Sequence, residues 1–487
     1  MNIAFVASEV VPFAKTGGLA DVSGSLPIEL TKLGHNVKVF MPKYYSVDEK
    51  RFKLKHESWI GIIPVRVENK AHNVNIFKGL LDDSKTEIYF IDYPPFFHRH
   101  LLYTNDLDED ERFILFSKAV IELLQRLSWE ANIIHLNDWQ SALVPLLIKD
   151  NYSWDKYFDK IASVFTIHNI AYQGNFPKET YKKAEIAPKY FEAPGEIEHQ
   201  GRVNFMKAGI SFADIITTVS EKYAEELLTP EFSFGMDTIL KYRKDDFYGI
   251  LNGIDETVWS PEVDTYITQK YSSKTIDDKE KNKIELLKMF SMPYNINTPV
   301  IGIVSRLATQ KGFDLFLNSI DYLLSLDVQW VILGSGEYEY EKQLKEIAVN
   351  NPEKFSISLG YSNELSHLIT AGADMFLMPS HFEPCGLTQM YSLKYGTVPI
   401  VRNTGGLADT VFDWDAQIYD NKKDGTGFSF NDYNGYALTN AIERAVSYFH
   451  NKEIWKQIQQ NGMKTSFAWQ VSAKKYVSIY SKALAKK

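Results

Sequence analysis

The feature that most constrains this chain is the alternation of short apolar runs with longer amphipathic stretches, which occurs in two separate series. The first series opens with an apolar run at residues 3–7, a glycine-containing loop, an amphipathic stretch at 21–34 and another apolar run at 37–41. Short apolar runs bounded by turn residues read as buried strands, and the longer periodic stretches read as helices. Further strands are expected at 87–91, 133–136, 161–167 and 214–219, with helices at 111–127 and 203–212 between them. A second series follows at 300–304, 329–333, 355–359, 375–378 and 397–401. Strands alternating with helices give an open, doubly wound α/β sheet. At 487 residues the chain is also too long for one ordinary core. The expectation is therefore two Rossmann-like domains, 1–245 and 299–454. A polar stretch with the charge run Asp277, Asp278, Lys279, Glu280, Lys281 marks 246–298 as linker or hinge. Residues 455–487 read as helix, packing back toward the first domain.

One hexapeptide, TGGLAD, stands at 16–21 and again at 404–409. Each copy follows an expected strand and opens an expected helix. Backbone N–H groups at a helix start point outward and favour an anion, and ligands of open α/β sheets bind beyond the carboxyl ends of the strands. Both loops are accordingly expected to face one ligand cleft.

Composition excludes several classes. A net charge of -9 disfavours nucleic acid, whose binding needs many phosphates neutralised. The single cysteine, Cys385, excludes an intrachain disulfide and any multi-cysteine metal site. No apolar stretch reaches the ~18 residues of a membrane span. The opening segment lacks a basic start and is interrupted by Glu9, so it reads as a buried strand in a cytoplasmic protein. No phosphate-binding G-x-x-x-x-G-K-[ST] loop is present, and Glu339 stands where the dinucleotide fingerprint requires its third glycine. The D-x-D matches at Asp106 and Asp108, Asp108 and Asp110, and Asp413 and Asp415 are the pattern by which some sugar transferases hold a metal, but nothing else here requires one.

The strand ends carry the candidate chemistry. Arg306 and Lys311 follow the strand at 300–304 and suit a diphosphate, the guanidinium by a bidentate grip and the ammonium as a point charge. Glu383, in HFEPCGLTQ, follows another strand and can accept hydrogen bonds from sugar hydroxyls. Cys385 beside it reads as a small buried hydrophobe rather than a nucleophile. In the first series Asp138 of HLNDW and His168 and Asn169 of TIHNIAYQG stand just beyond neighbouring strands.

These stretches, together with KTGGLADV, ERFILFSKA, MKAGISFAD, TPEFSFGMD, GILNGID, VSRLATQKGFDL, FEPCGLTQMYSLKYGT and VRNTGGLADTV, resemble one family in its own order along nearly the whole chain: the glycogen and starch synthases of bacteria and plastids. The resemblance implies the GT-B fold, with two Rossmann-like domains facing a central cleft, the first catalytic and acceptor-side, the second holding the nucleotide sugar. It implies transfer of glucose from ADP-glucose to the non-reducing end of an α-1,4-glucan with retention, and neither cofactor nor metal. Asp138, His168 and Glu383 would be catalytic. Lys15, Gly18, Asp21, Asn252, Arg306, Lys311, Cys385, Gly386, Leu387, Gly405 and Gly406 would bind the donor, with Asn252 near donor or acceptor sugar, and Tyr361 would stack on adenine. Two positions depart from the family pattern: His381 replaces an arginine before FEP, and Phe97 stands where a tyrosine is frequent. The alternatives are another retaining transferase of this fold that uses UDP-glucose, and a non-catalytic glucan-binding protein.

Overall fold

The computed structural model describes residues 1–81, 84–192 and 194–487. It divides into two units, Met1–Leu251 with Trp469–Lys487, and Asn252–Ala468.

In the first unit the apolar runs become the middle of a ten-stranded sheet. In spatial order its strands are Phe247–Gly249, Ile215–Thr218, Ala162–Ile167, Ile133–Asn137, Asn2–Val6, Asn36–Pro42, Glu87–Asp92, Lys70–Leu80 and Lys55–His56, with Ile63–Val67 paired on Lys70–Leu80. The strands from Phe247–Gly249 to Glu87–Asp92 are parallel, and the rest are antiparallel. Parallel strands covered on both faces bury every residue, and Ile133–Asn137 is buried throughout. The antiparallel segments were not expected. Ile63–Val67 alternates buried and exposed residues, the mark of a strand with one wet face, which a search for continuous apolar runs passes over.

The second unit holds a six-stranded, all-parallel sheet in the order Phe355–Leu359, Gln329–Gly334, Val300–Val304, Met375–Met378, Val398–Arg402, Phe428–Phe430. Trp330, Phe316 and Ile442 are among the fully buried side chains of its core. In each unit the strand that begins the series lies between its successor and a strand from later in the chain. Asn2–Val6 sits between Asn36–Pro42 and Ile133–Asn137, and Val300–Val304 between Gln329–Gly334 and Met375–Met378. Such a reversal of order opens a crevice at the carboxyl ends, so the topology of each unit selects one place for a ligand.

The segment expected as a linker belongs instead to the second unit from Asn252 onward. Ile267, Tyr271 and Ile276 form a small core with Ala371 and Tyr395. Asp264 accepts hydrogen bonds from His367 (2.8 Å) and Tyr395 (2.5 Å), and buried Lys279 donates to the carbonyls of Thr370 and Ala371. The polar residues that looked solvated are satisfied internally. The helical tail is divided as well. Helix Lys452–Lys464 puts Trp455 and Ile458 into the second core, and only the helix Trp469–Leu484 belongs to the first unit. There Tyr480 bonds His135 Nδ1 at 2.8 Å, and His135 Nε2 bonds Thr166 at 2.7 Å. Among the described residues no helix is long and apolar enough to cross a membrane.

Candidate functional site

Each unit carries a group of candidate residues at its own crevice. In the first, Asp138 follows the strand Ile133–Asn137 directly, with φ of 54° and ψ of -179°. A side chain rarely adopts that backbone, at a cost of about 1–3 kcal/mol, and such strain clusters where a group must be presented in one orientation. The strained turn aims the carboxylate across to the next strand end, where it accepts the backbone N–H of His168 at 2.7 Å. Burial pushes the Asp138 carboxyl up to about 7, although two backbone N–H groups pull the other way. His168 is buried and held neutral, its pKa pushed down to about 3 by burial. Its Nε2 lies 2.9 Å from Asn137 Oδ1, while Asn137 Nδ2 donates to the Val6 carbonyl. Asn137 therefore offers an oxygen, so the imidazole carries its proton on Nε2 and keeps Nδ1 as an acceptor.

The first TGGLAD loop comes after the strand Asn2–Val6, which pairs with Ile133–Asn137. Helix Gly18–Lys32 starts within it, and Lys15 forms an ion pair with Asp21 at 2.7 Å. The loop is anchored by Glu9, which is buried and accepts hydrogen bonds from the backbone of Thr16, the Thr16 hydroxyl (2.7 Å), the Gly17 N–H (3.1 Å) and the Tyr103 hydroxyl (2.8 Å). The amides just before the helix are thus engaged by a carboxylate from the chain itself. Sequence reasoning missed Glu9, Tyr103 and Asn137. Glu9 has a signal, an acid shortly beyond a buried strand, as Asp138 is.

In the second unit the loops after Val300–Val304 and Met375–Met378 meet. Gly312, at φ of 81°, lies so close to the Pro379 carbonyl that a Cβ would fall 2.2 Å from its oxygen. This approach brings Lys311 Nζ to 2.6 Å from Glu383 Oε2, which also accepts from the Ser380 hydroxyl at 3.0 Å. Arg306 reaches Gln310 at 3.1 Å. Arg306, Lys311 and Ser380 line a cavity of about 190 Å³ together with Ile303, Val304 and Leu377. The two residues expected to serve different parts of a donor, Lys311 and Glu383, are therefore direct partners.

The second TGGLAD loop packs against the Glu383 loop. Helix Gly405–Thr410 begins there, and Gly406 N–H donates to the Glu383 carbonyl at 3.1 Å. Cys385 is buried, its thiol pushed up to about 12 by burial although Asn252 hydrogen-bonds to it. Asn252 thus stands at the Glu383 loop, and its Oδ1 is buried without a hydrogen-bond partner among the described residues. Gly386 takes φ of 69°, and Leu387 precedes the helix Thr388–Lys394.

Tyr361 follows the edge strand Phe355–Leu359, 78% exposed, two strands away from the Arg306 loop, and the structure does not bring it to the other candidates. Phe97 is fully buried against Tyr44, a core position where a hydroxyl would be costly. His381 is exposed and lies edge-on to Tyr433. The D-x-D carboxylates are engaged by cations: Asp106 and Asp108 with Arg99, Asp110 with Lys183, and Asp413 and Asp415 with Arg444.

Residues 2–242 match a family model described as the starch synthase catalytic domain, and residues 288–465 match glycosyl transferases group 1. The chain is similar to the glycogen synthase of Koribacter versatilis, 44% identical over 488 residues that cover 99% of this chain and 98% of that protein. It is 41% identical to the glycogen synthase of Thermotoga maritima over 492 residues, covering 100% and 99%. The solved catalytic domain of starch synthase IV from Arabidopsis thaliana, bound to ADP and acarbose, resembles it with a TM-score of 0.91 and 33% identity, each chain being 99% covered.

Proposed function

Because the chain belongs to the glycogen and starch synthase family of glucosyltransferases, we propose that it moves glucose from ADP-glucose to the non-reducing end of an α-1,4-glucan with retention of configuration, in the cytoplasm and without metal or cofactor. Its Rossmann-like units are those of the GT-B fold. The observation that carries the reading is the cavity lined by Arg306, Lys311 and Ser380 at the switch point of the second sheet, with Glu383 bonded to the last two. Two cations there suit a diphosphate, and the related plant enzyme was solved with ADP.

In this reading Arg306 and Lys311 take the diphosphate, helped by the backbone of Gly405 and Gly406. Lys311 then exchanges its bond to Glu383 for the phosphate, which frees the Glu383 carboxylate for the glucose hydroxyls. Lys15, Gly18 and Asp21 contribute to donor binding from the first unit, and Asn252, Cys385, Gly386 and Leu387 from the second, while Tyr361 stacks on adenine. His168 accepts a sugar hydroxyl at Nδ1. Asp138, poised near neutrality, shares a proton with the acceptor's hydroxyls. The acceptor hydroxyl attacks C1 on the face the leaving group departs from. The C1–oxygen bond to the diphosphate breaks, the new glycosidic bond forms, and the hydroxyl proton passes to the departing diphosphate, whose charge Arg306 and Lys311 stabilise.

Incorporation of labelled glucose into glycogen, compared between ADP-glucose and UDP-glucose with a chelator present, tests the donor and the independence from metal. ADP-glucose is expected to dominate, with a product fully released by an α-1,4-specific glucosidase. Preference for UDP-glucose overturns the donor assignment, and glucan binding without turnover of either sugar overturns the activity. Capture of a glucosyl ester on Asp138 or Glu383 overturns attack from the front face in favour of a covalent intermediate.

A further inference from the structure

We infer that Gln389 is a positioning residue for the donor: its side-chain amide ties the turn at Cys385 and Gly386 to the helix Gly405–Thr410, keeping the two backbone stretches assigned to donor binding in register. The inference rests on the reading above of which segments hold the donor.

Gln389 is fully buried in the first turn of the helix Thr388–Lys394. Its Nε2 lies 3.0 Å from the Cys385 carbonyl, 3.0 Å from the Gly386 carbonyl and 3.2 Å from the Thr410 hydroxyl. Three oxygens around one end of the carboxamide identify that end as the nitrogen. The Thr410 hydroxyl lies 2.6 Å from the Gly406 carbonyl, to which it donates its one proton, so toward Gln389 it acts as acceptor. A polarised chain results, from the amide of Gln389 through the Thr410 hydroxyl to Gly406. Gly406 N–H in turn donates to the Glu383 carbonyl, which closes a ring through both loops.

The other end of the amide accounts for a glycine. Gln389 Oε1 is buried without a hydrogen-bond partner among the described residues and lies where a side chain on Gly386 would be, 2.4 Å from the Cβ position. An apolar side chain of similar length would fill this space without burying a primary amide, which is costly unless bonded. What the amide adds is geometry. It sets the separation of the Cys385 and Gly386 carbonyls from the Gly406 turn, and so the direction in which the neighbouring N–H groups point.

The test is Gln389→Met, close in length and shape but lacking the donors, with Thr410→Val and Thr410→Ser beside it, all in the full chain. Calorimetric titration with ADP reads donor-site affinity, and steady-state kinetics read KM for ADP-glucose and for glycogen separately. Gln389→Met is expected to weaken ADP binding and raise donor KM by about tenfold, leaving glycogen KM within about twofold. Thr410→Val should shift the same quantities by a smaller factor, and Thr410→Ser should restore them. Unchanged ADP affinity in a folded Gln389→Met variant overturns the inference. If that variant does not fold, the threonine pair decides: loss in valine with rescue in serine supports the role, and equal behaviour removes it. ADP affinity is measured without turnover. A wild type that binds ADP but ignores ADP-glucose therefore removes the donor reading, while the comparison between variants still tests Gln389.

Discussion

The two TGGLAD loops have the same six residues and each stands between a parallel strand and a helix, yet their surroundings share almost nothing. In the first, Thr16, Gly17 and Gly18 are exposed, and a Cβ on either glycine would meet nothing within 4 Å. In the second, Thr404, Gly405 and Gly406 are buried, and a Cβ on either glycine would fall 2.0 Å from a carbonyl oxygen, that of Glu383 or that of Cys385. The first opens a helix of 15 residues, the second one of 6. Glu9 holds the amides before the first helix, whereas the second loop is pressed onto the backbone of the Glu383 turn. An identical hexapeptide thus serves once as an internally anchored lip and once as a packing joint. Glycine is a steric requirement only in the joint.

Four measurements would break or sharpen that contrast. The largest effect is expected from Gly406→Ala, which cannot be accommodated without moving the Cys385 turn. Chemical denaturation should register a loss of about 3 kcal/mol or more, with activity abolished. Next is the charge beside each loop. Lys311→Ala removes the cation paired with the buried Glu383 carboxylate, and kcat/KM for the donor should fall by about a thousandfold. Lys15→Ala removes a half-exposed partner of Asp21 and should cost about tenfold. Equal losses would show that the two loops contribute alike.

A third expectation concerns pH. In the first unit His135 and His168 are both pushed down to about 3, so below about 6.5 the unfolded chain binds protons that the native state does not. Stability therefore falls as pH drops from about 6.5 toward 3, by up to about 1.4 kcal/mol per pH unit for each histidine. Asp138 acts in the opposite sense. Its raised pKa makes the native state hold a proton that the unfolded chain has released between about 4 and 7, so its penalty grows as pH rises through that window and is constant above it. Asp138→Asn should stabilise by a few kcal/mol at pH 8 and by little at pH 4, read from unfolding midpoints. A stabilisation independent of pH would refute the assignment. The smallest effect is expected from Gly17→Ala and Gly18→Ala, within about 0.5 kcal/mol of wild type, since both positions are open.

Much of this was legible in the order of residues. The strands Val300–Val304 and Met375–Met378 lie where their apolar runs place them, because a strand buried on both faces is continuously apolar. Asp138 and His168 were recognisable as the residues just past two such runs, and the structure joins them through one hydrogen bond. The residues around 264–279 were not legible. Their charges resemble those of a linker, and only the partners His367, Tyr395, Thr370 and Ala371, about a hundred positions away, show them to be packed. Gln389 likewise looks like any polar residue at a helix start until Thr410 is seen against it.

Local pattern by itself determined the two series of strands and helices, and with them the strand ends at which chemistry had to collect, because period and strand-end position are properties of neighbouring residues. Tertiary structure alone decided that Lys311 meets Glu383, that Glu9 takes the amides ahead of the first helix, and that the second pair of glycines is a joint. Those facts depend on distances between segments far apart in the chain, and an identical hexapeptide carries no information about what it will be packed against.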